Sequence, residues 1–501
     1  MPAAKSIMIL GTGSDVGKSI VATALCRILR NRGVRVAPFK AQNMSNNSFV
    51  TIEGGEIGRA QVAQAEASGL PPSVHMNPVL LKPSSDRGSQ VILQGRVYGQ
   101  MEAAEYHAGK SKLRKVVLES FHRLSQSYDA IVMEGAGSCC EMNLKDRDLV
   151  NFPMARAVGA SCLLVGDIDR GGIFAQLLGS HHLMTRKERE LTAGFLINKF
   201  RGDPRLFDSG MAYIEKKSGK PVLGLVPYYH DIAIDPEDSV AVQEDRRVLH
   251  PLRQDTLNIG VLRLPSISNF TDLETLAREP GVVLNYLFRP DELDDGYDLL
   301  ILPGAKNVME DAAWLARSGW RRAVRRFANR GKRVLGICGG YQLLGRLIHD
   351  PFGVESDRPR VEALGLLPAE TVLAEDKVVQ RVTGTCLMNR KRVTGYEIHM
   401  GRTEPAGPGA RPLLRVHRPG SAVSWDDGLV LDDGRVLGSY VHGVLDAPGF
   451  RGELLNTMRR EKGLRERASR KGRLARFHQY DRLAEHFERC CDVDRILSLM
   501  S

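Results

Sequence analysis

Short, unbroken apolar runs separated by helical patterns constrain this chain more than any other feature. In the first half they fall at 6–10 (SIMIL), 34–39 (VRVAPF), 130–134 (AIVME), 162–168 (CLLVGDI), 194–199 (GFLINK) and 222–226 (VLGLV). Runs of this kind suit strands covered on both faces, as in a parallel sheet. Stretches such as 17–32 and 112–127 carry helical patterns between them, so the topology is α/β wound. A second series follows at 258–264 (NIGVLRL), 282–287 (VVLNYL), 298–302 (DLLIL) and 333–337 (RVLGI). It closes with β-like segments at 378–386, 393–399 and 429–442, with a turn at Asp433-Gly434. The expected fold is α/β: two doubly wound domains with mainly parallel sheets, then a helical tail. The boundaries read as 1–235, an acid-rich linker at 236–255, 256–449, and a basic helical stretch at 450–501 that suits a solvated face. A chain of 501 residues accommodates two large domains of this type.

Composition removes several classes. No apolar run approaches the ~18 residues of a membrane span, and Met1–Leu10 leads straight into a strand without a cleavable leader pattern. The eight cysteines show no CxxC spacing, so reduced thiols in a cytoplasmic protein are expected and a zinc site is not. Lys plus Arg number 70 against 59 Asp plus Glu, a net charge of +11. That excess permits an acidic partner without demanding one. Neither a nucleic-acid nor a membrane partner is expected, and the oligomeric state is left open.

The first chemical motif follows strand 6–10. Gly11-Thr12-Gly13-Ser14-Asp15-Val16-Gly17-Lys18-Ser19 precedes a helix. A glycine-rich strand-to-helix turn aims backbone N–H groups, here those around Gly13, Asp15 and Gly17, at phosphate oxygens, and the helix N-terminus adds partial positive charge. Lys18 is placed to reach the terminal phosphates and the Ser19 hydroxyl to bind Mg²⁺. Thr12 stands where the common pattern has its first glycine. With that departure the loop resembles the dethiobiotin-synthetase-like branch of phosphate-loop proteins, which phosphorylate a carboxylate and let a nitrogen attack it. The resemblance implies ATP and Mg²⁺, with no tightly bound prosthetic group. It also implies a phosphate-side role for Lys40, a Mg²⁺-side role for Glu134 in Glu134-Gly135-Ala136-Gly137, and an adenine contact for Asn198.

The second motif, Gly336-Ile337-Cys338-Gly339-Gly340-Tyr341-Gln342, follows strand 333–337 and precedes a helix. Gly-x-nucleophile-x-Gly makes a sharp elbow that exposes the side chain at the carboxyl end of the sheet. Cys338 is the candidate nucleophile, with oxyanion donors from the backbone N–H of Gly339 and of Gly304 in Leu302-Pro303-Gly304. His442, in Ser439-Tyr440-Val441-His442-Gly443, is the candidate base. The arrangement resembles class I glutamine amidotransferases, which release ammonia from glutamine through a cysteine thioester. Their triad has Glu two residues after His, where this chain has Val444. The orienting acid is therefore absent or comes from elsewhere, Glu397 and Asp446 being the available substitutes.

The two halves together resemble the cobyrinate amidotransferases of cobalamin biosynthesis over nearly the whole chain. The resemblance rests on Gly11 to Ser19, Lys40-Ala41-Gln42-Asn43-Met44-Ser45-Asn46-Asn47, Glu134 to Gly137, Asp167-Ile168-Asp169-Arg170-Gly171-Gly172, Gly336 to Gln342 and Gly395 to Gly401. It implies ATP- and glutamine-dependent amidation of a corrinoid, the b, d, e and g carboxylates of adenosylcobyrinic acid a,c-diamide. An a,c-diamide synthase-type activity is the runner-up. Gln42, Asn43, Asn46, Asp167 and Arg170 then become candidates for corrinoid or phosphate contact, since open α/β sheets bind ligands at strand carboxyl ends. Turn formation competes as a reading of these side chains. Two other classes remain: a phosphate-loop switch ATPase, which leaves the Cys338 elbow unexplained, and a free-standing glutaminase, which leaves Lys18, Ser19 and Glu134 unexplained.

Overall fold

The computed structural model describes residues 4–83, 88–102, 110–229, 234, 249–469 and 472–500. The chain forms two compact units. The first comprises residues 1–45, 56–237 and 474–501; the second comprises 46–55 and 238–473. Most of the expected linker, 236–248, lies outside the described residues.

In the first unit the apolar runs become a six-stranded parallel sheet in the order Val222–Pro227, Thr192–Phe200, Ser161–Asp167, Lys5–Gly11, Ala130–Glu134, Val36–Phe39. The adjacent strands Lys5–Gly11 and Ala130–Glu134 carry the phosphate loop and Glu134 at their carboxyl ends, with Ile9 opposite Glu134. A four-stranded sheet of Gln42–Met44, Val79–Pro83, Gly88–Leu93 and Arg96–Glu102 accompanies it. None of these short strands stands out as an apolar run, so the sequence gives little sign of them.

The stretch 450–501 does not behave as one solvated tail. The helix Pro448–Glu461 belongs to the second unit. Within the helices Gly472–Cys490 and Val493–Ser498, by contrast, Tyr480, Leu483, Phe487 and Ile496 join the core of the first unit alongside Val21, Leu25, Ile28 and Leu223. Polar contacts lock this packing: the Tyr480 hydroxyl donates to Glu66 at 2.9 Å, Arg27 to Asp481 at 2.7 Å, and the Asp492 amide to the Leu223 carbonyl at 2.8 Å. Gly224 has no alternative here, because a Cβ would sit 2.5 Å from the Cys491 sulfur.

The second unit has an eleven-stranded sheet. Val282–Leu287, Leu257–Leu262, Leu299–Leu302, Arg333–Ile337 and Val436–Ser439 run parallel; Ser424–Leu431, Ala410–His417, Ala369–Cys386 and Arg392–Pro405 continue antiparallel. The Cys338 elbow follows the fourth strand, and the chain to His442 leaves the fifth, its direct neighbour in the sheet. No helix among the described residues is long and apolar enough to cross a membrane.

Candidate active site

In the first unit, positive φ angles at Asp15 (57°) and Gly17 (98°) turn the loop between Lys5–Gly11 and the helix Lys18–Asn31. Gly17 occupies the helix N-cap, and no side chain caps that end. The first-turn N–H groups thus face the loop's concavity, as anion binding requires. Lys18 folds back over the loop, its Nζ donating to Gly13 O at 2.8 Å and Gly137 O at 2.9 Å. Asn198 braces the same loop: its Nδ2 donates to Val16 O at 2.8 Å and would lie 2.1 Å from any Cβ at position 17. The side chain read from resemblance as an adenine contact is therefore also a structural strut of the turn.

Glu134 is fully buried and is the hub of this site. One carboxylate oxygen accepts from the Ser19 hydroxyl at 2.9 Å and pairs with Lys40 Nζ at 2.8 Å; the other accepts from Gln64 at 2.5 Å and Gln61 at 3.5 Å. A carboxylate this deep is tolerable only when paired and hydrogen-bonded. Asn43 extends the network, its amide donating to Gln61 Oε1 at 3.1 Å. Gln61 and Gln64 lie three residues apart on one face of the helix Arg59–Ser68. Every residue of that helix is buried, so it carries no amphipathic pattern by which sequence could single them out. Ser19 and Glu134 present adjacent hard oxygen donors, the type Mg²⁺ takes, which leaves phosphate oxygens and water to complete a shell. These residues fit the metal. Of the other candidates, Gln42 is half-buried, Asp167 is buried and paired with Lys199 at 2.8 Å, and Arg170 is exposed. Asn46 lies in the second unit.

In the second unit, Cys338 has φ 52° and ψ −110°, a left-handed conformation that costs about 1–3 kcal/mol in a non-glycine residue. The neighbouring chain enforces it. A Cβ at Gly340 would meet Leu302 O at 2.0 Å, so the turn closes only over glycine. The Cys338 amide donates to Ser439 O at 2.8 Å, fixing the elbow to the strand that delivers His442. Gly304 abuts the His442 ring, since a Cβ there would lie 3.1 Å from Cε1, and Gly339 abuts Ala305. The structure thus gathers Cys338, His442, Gly304 and Gly339.

The orienting acid is neither of the substitutes expected from sequence. Glu397 receives Gln380, and Asp446 receives the Thr275 hydroxyl. Asp272, in the turn Phe270–Leu273, holds His442 instead: Oδ2 lies 2.7 Å from Nδ1, and Oδ1 accepts the Gly443 amide at 2.9 Å. Asp272 is 170 positions away in sequence, and no local motif links it to the histidine. Asp272 sits in the connection between the strands Leu257–Leu262 and Val282–Leu287, directly after neither. Burial opposes charge on the His442 ring, but the Asp272 carboxylate and then Cys338 outweigh it and raise its pKa. The Tyr396 ring stacks on the imidazole with centroids 5.3 Å apart, and Tyr396 and His442 exchange backbone hydrogen bonds. A nucleophile, an imidazole and an orienting carboxylate are therefore assembled without the usual Glu position, where Val444 is buried.

Comparisons agree with both units. Residues 7–242 match the CobQ/CobB/MinD/ParA nucleotide binding domain, and residues 258–450 match the CobB/CobQ-like glutamine amidotransferase domain. The chain is 51% identical to a cobyric acid synthase of Syntrophobacter fumaroxidans, covering 98% of each chain. It is 47% identical to one of Chlorobaculum tepidum, over 99% of this chain and 97% of that one. It is 46% identical to one of Sorangium cellulosum, over 99% of each. Identity at this level over both chains entire, with a domain match on either half, means that the chain belongs to the cobyric acid synthase family of glutamine amidotransferases.

Proposed function

We propose that this ligase amidates the b, d, e and g carboxylates of adenosylcobyrinic acid a,c-diamide, using ATP and glutamine for each amide, as a cytoplasmic step of cobalamin biosynthesis. The observation that carries the reading is the pairing, in one chain, of a Lys18–Ser19–Glu134 phosphate loop with a Cys338–His442–Asp272 assembly. The substrate carboxylate attacks the terminal phosphorus of ATP, giving an acyl phosphate and ADP. Lys18 offsets the charge on the transferring group, and loop N–H groups hold its oxygens. Ser19 and Glu134 would hold Mg²⁺, whose chemistry is to neutralise phosphate charge. Lys40, 2.8 Å from the Glu134 carboxylate, holds it in place.

In the other unit, His442 takes the Cys338 proton and the thiolate attacks the amide carbon of glutamine. Backbone N–H groups of Gly304 and Gly339 receive the oxyanion. His442 then protonates the departing nitrogen, which leaves as ammonia, and water hydrolyses the thioester to glutamate. Ammonia attacks the acyl phosphate carbon and displaces phosphate, completing the amide. Asp272 keeps the imidazole in the Nδ1–H tautomer so that Nε2 can accept the thiol proton.

Product mass spectrometry with cobyrinic acid a,c-diamide tests this directly. Amide-for-acid exchange should require both ATP and glutamine and proceed beyond the diamide. A product that stays at the diamide, or amidation without ATP, overturns the reading.

A further inference from the structure

Two cysteines stand side by side shortly after Glu134, at Cys139-Cys140. They end a stretch that is tied to the phosphate loop at three places. Glu134 accepts from Ser19 at 2.9 Å, the Gly137 carbonyl accepts from Lys18 Nζ at 2.9 Å, and the Cys139 amide donates to the Gly11 carbonyl at 3.0 Å. A shift of the main chain at 137–139 therefore moves the partners of Lys18 and of the strand end that leads into the loop.

Both cysteines are free thiols, and their sulfurs lie 3.8 Å apart. The Cys140 thiol donates to the Ser180 carbonyl, in the helix Ile173–Leu183, at 3.3 Å. With its own proton engaged there, Cys140 is the acceptor of the pair and Cys139 the donor. That donor, and after it the Lys145 ammonium, holds the Cys140 thiol below its ordinary range, against burial and the Glu188 carboxylate. The same contact, with burial, pushes the Cys139 thiol up. Cys140 is also the more accessible of the two, half-buried where Cys139 is buried. An accessible sulfur of low pKa with a second thiol in reach is the setting in which an oxidised cysteine is resolved by its neighbour.

We propose that Cys139 and Cys140 form a peroxide-reactive dithiol that closes to a disulfide and thereby loosens the phosphate loop. The Cys140 thiolate attacks one oxygen of hydrogen peroxide. The O–O bond breaks, leaving a sulfenic acid on Cys140 and releasing hydroxide. The Cys139 thiol then attacks the Cys140 sulfur; its proton leaves with the hydroxyl group as water, and the S–S bond forms. The peroxide has taken two electrons, one from each sulfur. Adjacent α-carbons lie about 3.8 Å apart across a trans peptide, short of the ~4.4–6.8 Å that a disulfide usually spans. Closing the ring therefore strains the peptide that joins the two residues, and the strain falls on the Cys139 amide and its hold on Gly11. A disulfide strained in this way is readily reduced, so the loop recovers when the thiols do. ATP use is then withdrawn while peroxide is present and restored afterwards. This rests on the nucleotide-binding role of the loop.

The test uses the full chain, reduced and then exposed to a small excess of hydrogen peroxide that is quenched with catalase. Affinity for a fluorescent ATP analogue should fall about tenfold, the worth of one hydrogen bond at the loop, and should return with dithiothreitol. Trypsin releases residues 124–145 as one peptide with both cysteines and no other; after peroxide that peptide should be lighter by two hydrogens. Cys140→Ala and Cys139→Ala should each bind the analogue normally and ignore peroxide. Cys490→Ala, which removes the other adjacent pair of this unit, Cys490-Cys491, should leave the response intact. An unchanged affinity in protein whose 124–145 peptide has lost the two hydrogens overturns the switch. So does a Cys140→Ala chain as sensitive as the unmodified one, or a response that disappears in Cys490→Ala. A peptide that gains oxygen instead, with no recovery in dithiothreitol, overturns the pairing of the two thiols. Reduced protein that does not bind the analogue overturns the nucleotide role itself, and shows this before any peroxide is added.

Discussion

The phosphate loop and the thiol elbow are the same kind of turn put to opposite uses. Each joins a parallel strand to a helix and contains a residue at positive φ: Gly17 at 98° in one, Cys338 at 52° in the other. Glycine at the first turn exposes the backbone, so main-chain N–H groups become the donors there, with the Lys18 and Ser19 side chains working beside them. A side-chain-bearing residue at the second turn exposes a thiol, and the neighbouring glycines yield so that the strain can be held. Position 17 has no room for a side chain, whereas position 338 is useful only because it has one. The electrostatics differ in the same sense. Glu134 is surrounded by donors that neutralise it. Asp272 spends its charge on a single imidazole and one amide.

The comparison is broken most severely at the loop. Lys18→Ala should lower amidation at least ~10³-fold with either glutamine or ammonium salt, because phosphoryl transfer precedes both nitrogen sources. Near-normal ammonia-dependent amidation would detach the loop from the chemistry. Cys338→Ala should remove glutamine-dependent amidation to a similar extent yet retain the ammonia-dependent reaction; equal loss of both would take Cys338 out of nitrogen release. Asp272→Asn tests the new third member. Glutamate release should fall roughly 10²-fold, less than for a serine nucleophile, since a thiol needs less activation. His442→Asn should fall at least as far, and full glutamate release by that variant would remove the histidine from catalysis. The smallest effects belong to the displaced candidates: Glu397→Gln and Asp446→Asn should each stay within about tenfold of the unmodified rate, as expected for groups that do not hold the base. Either one falling to the level of Asp272→Asn would reassign the triad.

What sequence could and could not convey divides along the same line. Motifs confined to one stretch, Gly11–Ser19 and Gly336–Gln342, were legible because the turn, the residue in it and the helix after it are written consecutively. The parallel sheets were legible because strands buried on both faces read as apolar runs. Asp272 was not legible: it reaches His442 across the fold and does not sit at a conventional spacing. Gln61 and Gln64 were hidden for a different reason, since a helix buried on all sides has no polar face against which a functional residue could be noticed. The packing of Tyr480, Leu483 and Phe487 was obscured by the Arg and Lys around them, which make the segment look like a solvated surface.

That last packing has a consequence for how the protein is made. The core of the nucleotide-binding unit takes Val21, Leu25 and Ile28 from early in the chain and Tyr480, Leu483 and Phe487 from near its far end, and the whole of the glutamine-handling unit is synthesised between them. On the ribosome the first unit to begin folding is therefore the last to finish: its apolar face stays uncovered until the closing helices emerge and dock. Ribosome stalling or a premature stop after the amidotransferase domain would leave a polypeptide with an intact glutaminase and an incomplete partner half, and quality-control proteases would meet that exposed face first.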